Sequence, residues 1–368
     1  MKPIKTIDRV EASAYSVPTE RPETDGTFAW EESTLVLVQV WAGDELGTGW
    51  TYGSMGTAAL IRQTLGPMLV GRRVADIARL WADMVIALRN IGRPGIGSMA
   101  LSAVDCALWD LKARLVELPL HHLIGAYRSA VPVYASGGFV NQDDQQLTDQ
   151  LRGWTDKLGL SRVKIKIGED WGRRPDRDLD RLRLARDVVG PGVELYVAAN
   201  GAYHVGQATR ICRDLDDLDV RWFEEPVSSD DLAGLRQVRT RCRADVVAGS
   251  YGYDLGYFRR VCAADALDCL QVDLTRCGGI TELLRIAAVA AAHNLDVSGQ
   301  GAPYLSAPAL AAVPNLRHTE WFHDHVRVEQ LLFAGTADPV DGVLPLADDV
   351  DGHGLTWREE VASPYRVF

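Results

Sequence analysis

From Val131 to Glu320 the chain repeats one pattern: a short apolar run, then a longer stretch with helical spacing. Strands are expected at VPVYAS, RVKIKI, ELYVAA, RWFEEP, DVVAGS, CLQVDL, LDVSG and RHTEW. Each is nearly all apolar, as a parallel strand buried on both faces must be. Near the C-terminal ends stand Lys166, Asn200, Glu224, Ser250, Asp273, Gln300 and Glu320, at intervals of 20 to 34 residues. That interval is about one βα unit. Eight such strands close into a barrel whose interior is packed solid, so polar strand ends gather on one face. A doubly wound open sheet would not place polar residues on seven successive strand ends. The expected fold class is α/β, a TIM-type (β/α)8 barrel.

Residues 1–125 have a different texture and are expected to form an α+β domain. Val10 to Val17 and Leu35 to Trp41 read as strands. The polar segment Pro18 to Trp30 between them reads as a loop. Leu101, Val104, Leu108, Leu111 and Leu115 recur at helical spacing and predict one apolar helix face, with Pro119 as the stop. The barrel is expected over 126–335, and 336–368 as a segment returning to the first domain.

Composition narrows the partners. A net charge of −11 argues against nucleic-acid or anionic-membrane binding and for a small-molecule partner. No run approaches the length of a membrane span, and MKPIKTIDRVEASAYS lacks the apolar core of a leader peptide. The six cysteines form no C-x-x-C pair and read as reduced thiols of a cytoplasmic protein. Of 39 basic residues only six are lysine, yet two of these, Lys164 and Lys166, share one apolar run. Arg does not give up its proton near neutral pH, whereas Lys can. Residues i and i+2 of a strand point the same way, about 6–7 Å apart. Two ammonium groups that close lower each other's pKa and favour a neutral amine. The competing reading places both lysines on a solvent face, with Val163, Ile165 and Ile167 buried behind them.

In order along the chain stand TLVLVQVW, GRPGIGSMALSAVDCALWDLKAR, YASGGF, VKIKIG, AANGAY, FEEPVSSDDL, AGSYGYD, QVDLTRCGGITE and RHTEWFHDHVRVE. Together they resemble the enolase superfamily, in its mandelate racemase and muconate lactonizing enzyme branch. The resemblance implies a modified barrel, (β/α)7β, under an N-terminal α+β capping domain. It implies chemistry that begins with removal of a proton beside a carboxylate, and a homo-oligomer. Lys166 matches the usual base on one substrate face, and Lys164 the lysine that contacts the carboxylate. Asp273 matches an acid that holds a histidine on the seventh strand, but Gln300 stands in the histidine's place. Glu320 matches an acid that hydrogen-bonds the developing enolate.

The resemblance also implies Mg²⁺ held by carboxylates at the ends of the third, fourth and fifth strands. Here those positions are Ala198, Glu224 and Ser250. Mg²⁺ wants octahedral oxygen ligands, usually including carboxylates; Ala offers none and Ser a neutral hydroxyl. No cofactor is therefore expected. The catalytic set expected is Lys164, Lys166, Asp273 and Glu320. Asn200, Glu224, Ser250, Arg276 and Gln300 are expected to contact substrate. From the cap, Trp30 and Tyr52, with Phe28 and Trp50, suggest an aromatic or hydrophobic ligand, or else simply pack the cap. Three functions fit: a metal-independent isomerase, cyclase or lyase acting by lysine-mediated proton transfer on an activated substrate; a non-catalytic binding or scaffold relative; or a Mg²⁺-dependent acid-sugar dehydratase or racemase. The run His323 to His325 reads as a polar loop after the last strand, and His121 and His122 as a pair without metal spacing.

Overall fold

A computed structural model describes residues 5–368. Its N-terminal part is an antiparallel sheet of β1 (Arg9–Thr24), β2 (Ala29–Ala42) and β3 (Glu45–Tyr52). The segment expected as a loop is instead the far end of a long hairpin. After a register shift between Pro18 and Glu23, pairing resumes at Glu23 opposite Trp30 and Thr24 opposite Ala29. Only 25–28 turn, held by Asp25, whose carboxylate accepts the Thr27 and Phe28 amides at 2.7 and 2.8 Å. These strand residues are polar because they project beyond the core.

The helix Ile96–Leu115 carries the predicted leucines but is buried on all sides, not on one face. One side packs on β3, where Gly47 and Gly49 are required: an added Cβ at either would sit 2.4 Å from a carbonyl of that helix. The other side meets the barrel, where Asp105 accepts the Thr281 amide and hydroxyl at 2.8 and 2.6 Å.

The barrel strands are β4 (Ala130–Ser136), β5 (Arg162–Lys166), β6 (Glu194–Ala198), β7 (Val220–Glu224), β8 (Asp245–Ala248), β9 (Cys269–Asp273), β10 (Asp296–Gln300) and β11 (Leu316–Phe322). All run parallel to their barrel neighbours, and β11 closes on β4 with Thr319 opposite Val133. Tyr134, Tyr196, Trp222 and His318 fill the interior below the strand ends; Tyr196 and Trp222 stack at 5.3 Å. Beyond β11, β12 (Phe333–Ala334) pairs with β14 (Thr356–Trp357), and β13 (Val343–Pro345) runs antiparallel to the start of β4. The chain then reaches the cap, where the Val367 amide donates to the Ala14 carbonyl at 2.8 Å. All six cysteines are free thiols. Among the described residues no helix is long and apolar enough to cross a membrane.

Candidate active site

Strand β5 decides which way the two lysines face. Val163, Ile165 and Ile167 belong to the main core between strands and outer helices, so Lys164 and Lys166 point into the barrel. Lys164 is fully buried. Its ammonium lies 2.5 Å from Glu224 Oε2 and 2.8 Å from Glu320 Oε1, with the Tyr134 hydroxyl at 3.4 Å. Burial disfavours the charged amine, but the two carboxylates more than offset it and raise its pKa. The two carboxylates thus favour the charged ammonium of Lys164, against the expectation that the lysines lower each other's pKa. One step higher, Lys166 reaches the mouth. Among the described residues its ammonium makes no hydrogen bond or ion pair.

Glu224 is bonded to Lys164 and does not line the cavity. It lies beneath the mouth, where its Oε2 accepts from Gln271 Nε2 at 3.0 Å and Trp222 Nε1 at 3.2 Å as well as from Lys164. Beside it, Glu225 takes a left-handed backbone conformation (φ 43°) and accepts the Ser250 hydroxyl at 2.7 Å. Burial and the adjacent Glu224 push its carboxyl up to about 7. Asn200, also left-handed (φ 50°), lines the cavity, and its buried Oδ1 has no partner among the described residues.

Across the mouth, Asp273 accepts the Thr275 amide and hydroxyl, each at 2.7 Å, and lies 3.3 Å from Arg276 Nε. Burial raises its pKa against the pull of Arg276. Gln300 is Asp273's register partner on β10, and its buried Oε1 is unpaired among the described residues. Despite burial, Lys164 and Lys166 hold the Glu320 carboxyl well below the usual range. In this arrangement the two ammonium groups favour its carboxylate form.

The cavity over these groups is about 300 Å³. Lys166, Asn200, Ser250, Asp273, Arg276, Gln300 and Glu320 line it from the barrel, and Trp30 and Tyr52 from the cap, while Lys164 and Glu224 lie beneath. Trp50 is corrected as a ligand-facing aromatic. It is buried between cap and barrel, donating to Glu329 at 2.8 Å and stacking on Phe333 at 4.2 Å. Trp30 donates to Glu23 at 3.0 Å and stacks beside the exposed Phe28. Burial and nearby Asp324 push Glu23 up to about 8. The cap therefore supplies acids as well as rings: Asp25 and Glu32 line the cavity, and the Ser33 hydroxyl bonds Asp324.

Sequence reasoning missed Asp25, Asp324 and His325. His325 stands in the segment expected to be an ordinary loop, yet it lines the cavity with its ring parallel to Tyr52 at 3.5 Å. The only signal was its place just beyond the eighth strand end.

The N-terminal domain model of mandelate racemase and muconate lactonizing enzyme matches residues 9–125, and the enolase C-terminal domain-like model matches 146–361. The chain belongs to that branch of the enolase superfamily. It is 32% identical to 3,6-anhydro-alpha-L-galactonate cycloisomerase of Streptomyces coelicolor, over 95% of this chain and 96% of that one. A mandelate racemase/muconate lactonizing enzyme-like protein from Rubrobacter xylanophilus superposes with a TM-score of 0.95 at 43% identity, covering 98% of this chain and 100% of that one. A racemase from Streptomyces coelicolor, solved with bound magnesium, gives 0.91 at 31% identity, covering 98% and 100%.

This enolase-superfamily member thus stands among magnesium-bound relatives, several more of which are solved with the ion. That overturns the expectation of no cofactor: magnesium is the cofactor of the family. The three strand-end positions of this chain do not by themselves fit the implied carboxylate set. Ala198 carries no oxygen, Glu224 is engaged by Lys164, and Ser250 donates to Glu225.

Proposed function

We propose that this enolase-superfamily enzyme is an isomerase, cyclase or lyase in which Lys166 moves the proton on the carbon beside the carboxylate of a small hydroxy acid. The observation that carries the reading is the Lys166 ammonium, without a hydrogen bond or ion pair among the described residues, in a cavity lined by Asn200, Arg276 and Gln300 as well as aromatic rings. A general base must be able to reach the proton it takes, and Lys164, pinned between two carboxylates, cannot. Arg276, held by Asp273 and by the Ser250 carbonyl at 3.3 Å, offers its remaining N–H groups to the substrate carboxylate. Asn200 and Gln300 each keep an acceptor for substrate hydroxyls. These polar groups support a hydroxy acid, with Phe28, Trp30 and Tyr52 lining the same cavity beside them. Relatives named for galactarate, arabinonate, rhamnonate and sugar-acid lactones are consistent with that class.

The competing non-catalytic reading draws on the same geometry, since Ala198 and the Lys164–Glu224 pair remove groups that the resemblance makes functional. Exchange in ²H₂O separates the two. Galactarate, L-glucarate, D-galactarolactone and mandelate are incubated with the protein and Mg²⁺, and ¹H NMR follows the proton beside the carboxylate. Exchange of at least one acid by the wild type, lost in Lys166→Met, is the expected result. Equal exchange by both proteins would remove Lys166 from the chemistry, and none by the wild type would favour the binding protein.

A further inference from the structure

The His325 ring is held from three sides. Its face lies parallel to the Tyr52 ring, with centroids 3.5 Å apart and planes within 2°. Phe322 meets it edge-on at 5.0 Å. Its Nδ1 lies 3.1 Å from the Ala302 amide, which donates to it. Ala302 itself sits in the left-handed region, at φ 42° and ψ 61°. A residue with a Cβ pays for that conformation, and backbone strain of this kind gathers at functional sites. Here it turns an N–H toward the ring.

A backbone amide is only ever a donor. Nδ1 must therefore be the acceptor, and the neutral ring carries its proton on Nε2. Among the described residues no group takes up Nε2, and the ring lines the same cavity as Lys166 and Arg276. We propose that His325 is a neutral catalytic hydrogen-bond donor, its Nε2–H directed at an oxygen of the bound acid, and not a second acid or base. The assignment rests on the reading of the cavity as a hydroxy-acid site. A donor locked in place before the substrate arrives stabilises charge developing on that oxygen with little reorganisation. A ring already accepting at Nδ1 gains no proton there without losing the Ala302 bond. The charges around it agree: burial lowers its pKa to about 4, with Arg276 adding to that effect and Asp324 and Glu320 opposing it. Gln300, at the position where the resemblance implies a histidine, leaves this ring as the imidazole facing the substrate from the side of β10 and β11.

Two measurements test the assignment. Long-range ¹H–¹⁵N NMR of the ¹⁵N-histidine-labelled full chain reads tautomer and charge between pH 5.5 and 8. The expected result is a non-titrating His325 with its proton on Nε2; a proton on Nδ1, or titration near pH 6.5, overturns the proposal. Calorimetry then compares wild type with His325→Phe, which keeps the ring stack, and with His325→Gln, which restores an N–H, using the acids named above. A hydrogen bond to a charged oxygen corresponds to roughly tenfold or more in affinity. His325→Phe is therefore expected to lose at least that much, and His325→Gln to recover part of it. Equal affinity of wild type and His325→Phe, with both melting alike, sinks the assignment and leaves the proposed function standing. If none of the acids binds the wild type, the reading of the cavity fails and the assignment falls with it.

Discussion

Lys164 and Lys166 stand two residues apart on one strand and face the same interior and the same Glu320, yet among the described residues only Lys164 is tied into ion pairs. Lys164 is sealed beneath the mouth with Glu224 and Glu320 against its ammonium. Lys166 stands in the cavity with no such partner. What separates them is their partners: a charge sealed away from water must find a protein partner, and Lys164 has two carboxylates within hydrogen-bond distance. Lys-x-Lys thus spans two storeys, the lower lysine tied to carboxylates of β7 and β11 and the upper one lining the cavity, where the proposed function places the proton transfer.

The comparison breaks first at the upper storey. Lys166→Met should lower solvent exchange by roughly 1,000-fold or more with little change in melting temperature. A normal rate would put proton transfer elsewhere. At the lower storey the main effect should be on stability. Lys164→Met leaves two buried carboxylates without their cation and should cost about 3–5 kcal/mol in denaturant unfolding. Adding Glu224→Gln and Glu320→Gln should recover part of that loss. A cost below about 1 kcal/mol for the single variant would mean that the buried pair is not holding the strand ends.

The metal side of the mouth sharpens the contrast. Ala198→Asp/Ser250→Glu supplies carboxylates at the two strand ends that lack them and should tighten Mg²⁺ binding at least tenfold, roughly, by calorimetry. No gain would show that Glu224 stays with Lys164 even when a metal ligand set is offered.

The smallest effect concerns Glu329, which accepts Trp50 Nε1 from the cap and the Tyr304 amide from the barrel, at 2.8 and 3.2 Å. Burial pushes its carboxyl from 4.5 up to about 8 against those donors. Between these values the folded state binds more protons than the unfolded one, so stability falls as pH rises through that window. Glu329→Gln should flatten the fall by roughly 1–3 kcal/mol; an unchanged slope would assign it to Glu23, Asp105 or Glu225. Glu320 acts in the opposite sense. Its depressed folded value contributes stability above the ordinary 4.5, lost as pH falls toward about 2.

Much of this molecule is legible in the chain. The eight barrel strands announce themselves because strands buried on both faces must be apolar throughout, and their polar ends mark the mouth. Strand β3 is not legible, because Gly47 and Gly49 depress strand propensity; they are there for the helix packed on it. The hairpin at Pro18 to Trp30 reads as a loop because its strands project over the mouth, where polar residues are at no disadvantage. Lys164's charge state depends on Glu224 and Glu320 from other strands. His325 depends on Tyr52 in the cap and on the twist of Ala302. Local patterns report which face is buried; they do not report which distant groups will meet there.

The barrel closes by pairing β11 with β4, Thr319 opposite Val133, the first and last of its strands. During synthesis β4 emerges long before its second neighbour exists, and only β5 can occupy one side of it. Pairings this remote in sequence are slow to form, and an open strand edge meanwhile invites the wrong partner. The same closure that gives the mouth its ring of functional groups therefore leaves one edge of β4 without its barrel neighbour until β11 arrives.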